Sequence, residues 1–93
     1  IMIDASHANS RKIPARQMDV ARDIANQIAR GSRSIFGIML ESSLVEGRQE
    51  VVDGQALTYG QSITDACISW DDTESTLNAL VQAVRTRRSG MPV

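Results

Sequence analysis

Ile35-Phe36-Gly37-Ile38-Met39-Leu40, followed at once by Glu41-Ser42-Ser43, is the stretch on which the fold class of this chain turns. A short run that is apolar at every position, rather than at alternate ones, suits a parallel strand covered on both faces. Its polar ending puts groups able to do chemistry at the strand's carboxyl end. Upstream, Ile1-Met2-Ile3 repeats the design and is closed by Asp4-Ala5-Ser6-His7-Ala8-Asn9-Ser10. The interval between the two runs fits one strand–helix–strand crossover, a unit of about 30 residues or more.

The helix of that crossover is expected from about Pro14 to Arg30. Met18, Ala21, Ala25 and Ile28 recur at three- and four-residue steps, and Val20 and Ile24 widen the stripe. Pro14 is tolerated in a first turn, where its missing N–H costs nothing. Gly31 stands where a left-handed cap stops a helix. From Ser42 to Ala66 no long period holds, and a loop of that length in a compact domain is either functional or disordered. Within it, Asp53-Gly54 between Glu50-Val51-Val52 and Gln55-Ala56-Leu57 predicts a small hairpin turn. Asp71-Asp72-Thr73-Glu74 then predicts a helix start, with Asp71 as N-cap and Glu74 three residues on. Leu77, Leu80, Val81 and Val84 form the expected apolar face of this last helix. Arg85, Arg87 and Arg88 meet the negative end of its dipole, and Gly90 and Pro92 end it. The order is strand, helix, strand, long loop, helix. That makes two consecutive βα units of the α/β class, which need a parallel sheet to complete them.

At 93 residues the chain is one domain at most. It is 42% hydrophobic and 23% charged with a formal net charge of -1, the proportions of a soluble globular protein rather than a disordered one. No apolar run approaches the roughly 20 residues of a spanning helix, so no membrane is expected. Near-neutral charge leaves no electrostatic footprint for nucleic acid. The single cysteine, Cys67, has no internal disulfide partner, and no signal-peptide pattern is present. A reducing cytoplasm is the expected compartment. Aromatic content is only 3%, so the core must rest on aliphatic side chains. The chain also opens inside a strand, with a Met at position 2 behind Ile1, and is expected to be a piece of something larger.

Three metal-capable side chains stand at comparable places. His7 follows the first strand, Glu41 follows the second, and Asp65 closes the long loop. In parallel α/β sheets and barrels, catalytic groups converge at the carboxyl ends of the strands. One imidazole with two carboxylates suits Mn(II), Fe(II), Co(II) or Zn(II) more than Ca(II). Taken residue by residue, a plainer reading is favoured: His7 as a strand-end hydrogen-bonding group, Glu41 as a loop carboxylate, Asp65 as a cap. Other candidates are weaker. Cys67 lacks a partner at zinc-finger spacing. Ser6 and His7 are sequence neighbours whose side chains diverge, which argues against a hydrolase dyad. The glycines form no phosphate loop, and Lys12, the only lysine, leaves little room for Schiff-base chemistry.

Several blocks carry a family resemblance in order and spacing. Met2-Ile3-Asp4-Ala5-Ser6-His7-Ala8-Asn9-Ser10, Gly37-Ile38-Met39-Leu40-Glu41-Ser42, Leu44-Val45-Glu46-Gly47 and Tyr59-Gly60-Gln61-Ser62-Ile63-Thr64-Asp65-Ala66-Cys67 resemble the closing part of the type I 3-deoxy-D-arabino-heptulosonate 7-phosphate (DAHP) synthases. The resemblance runs through Trp70 into the last helix. It implies that residues 1–93 are the C-terminal βαβα segment, the seventh and eighth βα units, of a (βα)8 TIM barrel, incomplete alone. It implies a cytoplasmic transferase, a homo-oligomer, that condenses phosphoenolpyruvate with erythrose 4-phosphate and releases phosphate, opening the shikimate route to aromatic amino acids. The family's divalent metal is held by a Cys, a His, a Glu and an Asp. His7, Glu41 and Asp65 match the last three as catalytic metal ligands, and Asp65 also faces the sugar. The Cys ligand and the groups that grip the substrate phosphates belong to earlier strands, and Cys67 does not match that ligand. Asn9 and Ser10 are expected to orient His7 or a bound water, or else to serve as turn and cap formers. Two alternatives stand beside this reading. One is the related 3-deoxy-octulosonate 8-phosphate synthase, which uses arabinose 5-phosphate. The other is a non-catalytic piece that associates with itself through unpaired strand edges, with no activity and weak metal binding on its own.

Overall fold

Two strands set the frame of residues 1–90, the part described by the computed structural model. β1 (Met2–Asp4) and β2 (Gly37–Met39) pair in parallel, with Met2 opposite Gly37, Ile3 opposite Ile38 and Asp4 opposite Met39. The helix α1 (Pro14–Ala29) makes the crossover between them, as the apolar periodicity predicts. Burial on both strand faces is not found. Ile3 and Ile38 pack half-buried against the core, whereas Met2 is 57% exposed and Phe36 79% exposed. Among the described residues the helices cover one face of this two-stranded sheet, and successive side chains point to opposite faces.

α1 begins without a side-chain cap, at Ile13, with Pro14 in its first turn. Its end is fully specified. Gly31 adopts φ +109, its N–H bonds the Ile28 carbonyl at 2.9 Å, and the Ser32 N–H bonds the Gln27 carbonyl at 3.0 Å. This Schellman closure satisfies the last carbonyls and needs the left-handed residue that glycine supplies. The second helix, α2 (Trp70–Ser89), starts earlier than its acidic run suggests. Ser69 is the N-cap, and its hydroxyl accepts from the Asp72 N–H at 3.2 Å. Asp71 is therefore not the cap; with Asp72 it sits in the first turn, where negative charge meets the helix dipole.

α1 and α2 pack together over a core of Ile24, Ala25, Ile28, Ile35 and Ala83, flanked by Val20, Leu80 and Val84. The buried stripe of α2 is set by Thr73, Thr76, Leu80, Ala83 and Val84 rather than by its larger apolar residues. Leu77 and Val81, expected on that face, are each 44% exposed. Thr76 and Ala83 are buried on that side, and Ala83 joins Ala25 in the core, while the bulkier pair faces outward. At the far end Arg87 donates to the Ser32 carbonyl at 3.0 Å, tying α2 to the turn after α1. Gly90 caps α2 at φ +70; Pro92, expected to help end it, lies outside the described residues.

Residues 42–66 are more ordered than their lack of periodicity suggests. β3 (Val45–Arg48) and β4 (Gln61–Ser62) pair in parallel with a bulge between Val45 and Arg48. The expected turn forms: Val52 and Gln55 exchange both backbone hydrogen bonds at 2.9 Å, and Asp53 and Gly54 both take positive φ. That is the geometry of a two-residue type I′ connection. No helix among the described residues is long and apolar enough to cross a membrane.

Candidate metal centre

Three chain segments end at one cavity of about 490 Å³, whose walls include His7, Glu41, Asp65, Lys12, Arg48 and Gln17. The first is the turn after β1. The strand ladder finishes with the Ala5 N–H bonded to the Met39 carbonyl at 3.0 Å. Beyond it Asp4 folds the chain back on itself: its Oδ1 accepts from the Ser6 N–H at 2.8 Å and the His7 N–H at 3.3 Å. An aspartate bonding its own backbone two residues on is a standard turn former. Its second oxygen, Oδ2, lies 2.7 Å from His7 Nδ1. This contact holds the His7 pKa above the ordinary imidazole range and the Asp4 pKa below the ordinary carboxylate range. A proton kept on Nδ1 leaves the Nε2 lone pair directed into the cavity, the arrangement metal-binding histidines use.

Asn9 and Ser10 sit behind this turn. Asn9 Nδ2 donates to the Asp4 carbonyl at 2.7 Å. The Ser10 hydroxyl, fully buried, donates to the carbonyls of Ser6 and His7. Both act on the backbone that carries His7, and the imidazole itself is met by Asp4.

Glu41 leaves the end of β2 with its backbone N–H, its carbonyl and one carboxylate oxygen engaged. Its carbonyl accepts from the Ile68 N–H at 3.0 Å and from Gln17 Nε2 at 3.1 Å. Its N–H donates to Gln17 Oε1 at 2.8 Å. The Ser6 hydroxyl donates to Glu41 Oε1. Asp65, more exposed, comes from the loop after β4. There the Arg48 Nε donates to the Thr64 carbonyl at 2.8 Å, and the Thr64 N–H bonds the Ser62 hydroxyl at 3.1 Å.

His7 Nε2 stands 3.4 Å from Glu41 Oε1 and 3.5 Å from Asp65 Oδ2, and one donor atom from each of the three lies within 4.8 Å of the others. These separations exceed a normal hydrogen bond of about 2.7–3.2 Å. The two distances to His7 Nε2 match the spacing of donors around a shared ion, since atoms about 2.1 Å from a tetrahedral centre lie roughly 3.4 Å apart. One nitrogen and two carboxylate oxygens fit a borderline divalent cation. The sequence-based trio is thus brought together.

A family model for the DAHP synthetase I family matches residues 1–78. The chain belongs to that family. It is 62% identical over 88 residues to the phospho-2-dehydro-3-deoxyheptonate aldolase of Haemophilus influenzae, covering 95% of this chain and 24% of that protein. It is 54% identical over 88 residues to the Phe-sensitive aldolase of Escherichia coli K12, covering 95% and 25%. The solved structure of the Francisella tularensis phospho-2-dehydro-3-deoxyheptonate aldolase superposes with a TM-score of 0.86 at 47% identity, over 94% of this chain and 25% of that one. The chain therefore spans about a quarter of the length of these members of the DAHP synthetase I family.

Four residues at this candidate site are not evident from the sequence alone. Asp4 is signalled only by its three-residue spacing from His7. Ser6 draws notice only as half of a Ser–His dyad that its adjacency to His7 argues against. Gln17 shows one sign, a polar residue four positions before Ala21 on the buried stripe of α1. Arg48 gives none, because the fold of residues 42–66 is what aims it. Cys67 is buried and burial pushes its thiol pKa up. Its Sγ lies 3.5 Å from the Asp65 carbonyl, and its backbone exchanges both hydrogen bonds with Gly47, so it braces the loop that carries Asp65.

Proposed function

We propose that His7, Glu41 and Asp65 are three protein ligands of a divalent Mn, Fe, Co or Zn centre in a full-length DAHP synthase. On this reading the chain supplies the closing βα units of a (βα)8 barrel. The substrates are phosphoenolpyruvate and erythrose 4-phosphate, and the products are DAHP and phosphate. The protein is a cytoplasmic homo-oligomer. The observation carrying the reading is the 3.4 and 3.5 Å spacing of the two carboxylates about His7 Nε2.

Each residue has a stated task. Asp4 holds the proton on His7 Nδ1 and keeps the Nε2 lone pair available. Glu41 and Asp65 supply the negative charge that balances a cation, and Asp65, at the open end, faces the hydroxyls of the sugar. A bound divalent ion supplies Lewis-acid polarisation of the aldehyde oxygen. In the condensation the C3 carbon of phosphoenolpyruvate bonds to the aldehyde carbon, the aldehyde oxygen takes a proton, and water adds at C2 as phosphate leaves it, giving the C2 ketone with one water consumed. The fourth ligand and the phosphate grips come from outside these 93 residues.

Steady-state assays of the full-length protein with erythrose 4-phosphate and with arabinose 5-phosphate, before and after chelation, test this function. Turnover preferring the four-carbon sugar and abolished by chelation is expected. Preference for the five-carbon sugar assigns the octulosonate activity instead.

A second reading concerns residues 1–93 on their own. The described residues have a radius of gyration of 15.3 Å and extents of 55 × 23 × 16 Å, against roughly 12 Å expected for a compact chain of about this length. Exposed Met2 and Phe36 and the two-stranded sheet leave apolar surface and strand edge to be covered. Isolated, the segment is inactive, binds metal weakly and self-associates. Sedimentation over a concentration series, with metal titration alongside, checks this: a compact monomer with tight stoichiometric metal binding contradicts it.

A further inference from the structure

Glu41 lies at a point where its strand loses a neighbour. β1 pairs with β2 through Asp4 and Met39, then turns away at Ala5 to carry His7. Continued pairing would have served the backbone of residue 41 on that side. Gln17 serves it instead, from the first turn of α1. It is only 1% exposed, and both ends of its amide are used on one residue: Oε1 accepts from the Glu41 N–H at 2.8 Å and Nε2 donates to the Glu41 carbonyl at 3.1 Å. On the other side the Ile68 N–H shares the same carbonyl at 3.0 Å. A primary amide offers the same donor–acceptor pair as a peptide unit, so Gln17 acts as one residue of a missing strand.

We infer that Gln17 is a positioning residue for the metal centre: it fixes the backbone of Glu41 so that the carboxylate meets His7 and Asp65. The inference rests on the metal reading above. Two features make it more than packing. An apolar side chain of the same size fills the space equally well but leaves the Glu41 N–H unpaired in a part-buried site. The main chain at residue 41 is then free to twist, and the carboxylate, held otherwise through the Ser6 hydroxyl, moves with it. Ligand supports of this kind are worth roughly 10–100-fold in metal affinity.

The test compares Gln17→Met and Gln17→Glu with the wild type in the full-length protein, with His7→Ala alongside. Mn(II) affinity is read by titration at a temperature well below unfolding, and the apoprotein is melted separately. Gln17→Met is expected to bind Mn(II) about 10-fold or more weakly while its metal-free form still unfolds cooperatively. Gln17→Glu keeps the acceptor for the Glu41 N–H and gives up the donor to the Glu41 carbonyl, so it falls between the two. Wild-type Mn(II) affinity in Gln17→Met, with affinity lost in His7→Ala, overturns the inference and leaves the metal centre standing. Unchanged affinity in His7→Ala removes the metal reading itself. Where Gln17→Met does not unfold cooperatively, Gln17→Asn, a neutral amide one methylene too short to reach the Glu41 backbone, decides: Mn(II) affinity about 10-fold or more below wild type is expected, and wild-type affinity overturns the inference.

Discussion

His7 and Glu41 reach the cavity from the ends of paired strands, whereas Asp65 reaches it from a loop. The two supports differ in kind. Around residues 4–10 and 41 nearly every polar group has a partner inside the same small region: Asp4 on His7, Ser10 and Asn9 on the turn, Gln17 and Ser6 on Glu41. Asp65 depends on contacts at one remove, through Arg48 on the Thr64 carbonyl and through the Gly47–Cys67 bridge. The first arrangement fixes donor positions through redundant short-range bonds. The second leaves a ligand on a segment that can adjust, a useful property where a substrate must enter. The difference should show in what each substitution damages.

The largest effects should come from the donor atoms themselves. In the full-length protein His7→Ala, Glu41→Ala and Asp65→Ala should each lose metal-dependent turnover while the fold survives. For His7→Ala and Glu41→Ala metal affinity should fall by more than the roughly 10–100-fold typical of outer partners. Asp65→Ala should keep more metal affinity than the other two, because it removes the ligand with the loosest support. Metal titration with thermal melts of each variant checks the order, and equal losses for all three erase the contrast.

A backbone change in the looser region comes next. Gly60 takes φ +80, and a Cβ there would lie 2.9 Å from Leu44 Cβ. Gly60→Ala should destabilise the β3–β4 excursion by about 1–3 kcal/mol. Hydrogen exchange should rise over residues 44–65 and stay unchanged in α1. Arg48→Ala removes the bond to the Thr64 carbonyl from an arginine that is itself half-exposed, so a cost of about 1 kcal/mol or less is expected. Metal affinity should drop only a few-fold, and a loss as large as that of His7→Ala would show that the loop is as tightly specified as the strand ends.

How much of this was legible in the sequence follows the same division. The 3.6-residue stripe of α1 and the apolar runs at Ile1 and Ile35 identify the crossover, because burying one helix face on a strand pair imposes those periods. The trio His7, Glu41 and Asp65 stands out as metal-capable at strand ends and a loop, yet residue by residue plainer roles are favoured, and it is the family blocks that single it out. The start of α2 is displaced because Ser69 competes with Asp71 for the cap and wins by its extended backbone, φ -70 and ψ 165. Its buried face is misread because small residues decide which side of a helix can approach another. β3 and β4 leave no period, since a bulged pair of two to four residues is shorter than any repeat. Gln17 hides because its polarity is cancelled by a partner 24 residues away in sequence.

The smallest effect separates the two supports by pH. The His7 pKa is raised above 6.5 and the Asp4 pKa is lowered below 3.8, each through the other. The stabilisation tied to His7 is full below pH 6.5 and is lost as pH rises through its raised value. The part tied to Asp4 is full above pH 3.8 and is lost as pH falls through its lowered value. Asp4→Asn should therefore lower the melting temperature of the metal-free protein most between those limits, with the gap closing outside them. Both side chains are nearly half exposed, so the gap should be small, and its absence throughout that window would remove the pair from the account.

Anomalous diffraction from crystals of the full-length protein grown with Mn(II) tests the central claim most directly. One strong peak is expected within about 2.0–2.2 Å of His7 Nε2, Glu41 Oε1 and Asp65 Oδ2. A peak elsewhere in the molecule, with these three atoms in contact only with protein and water, would contradict it.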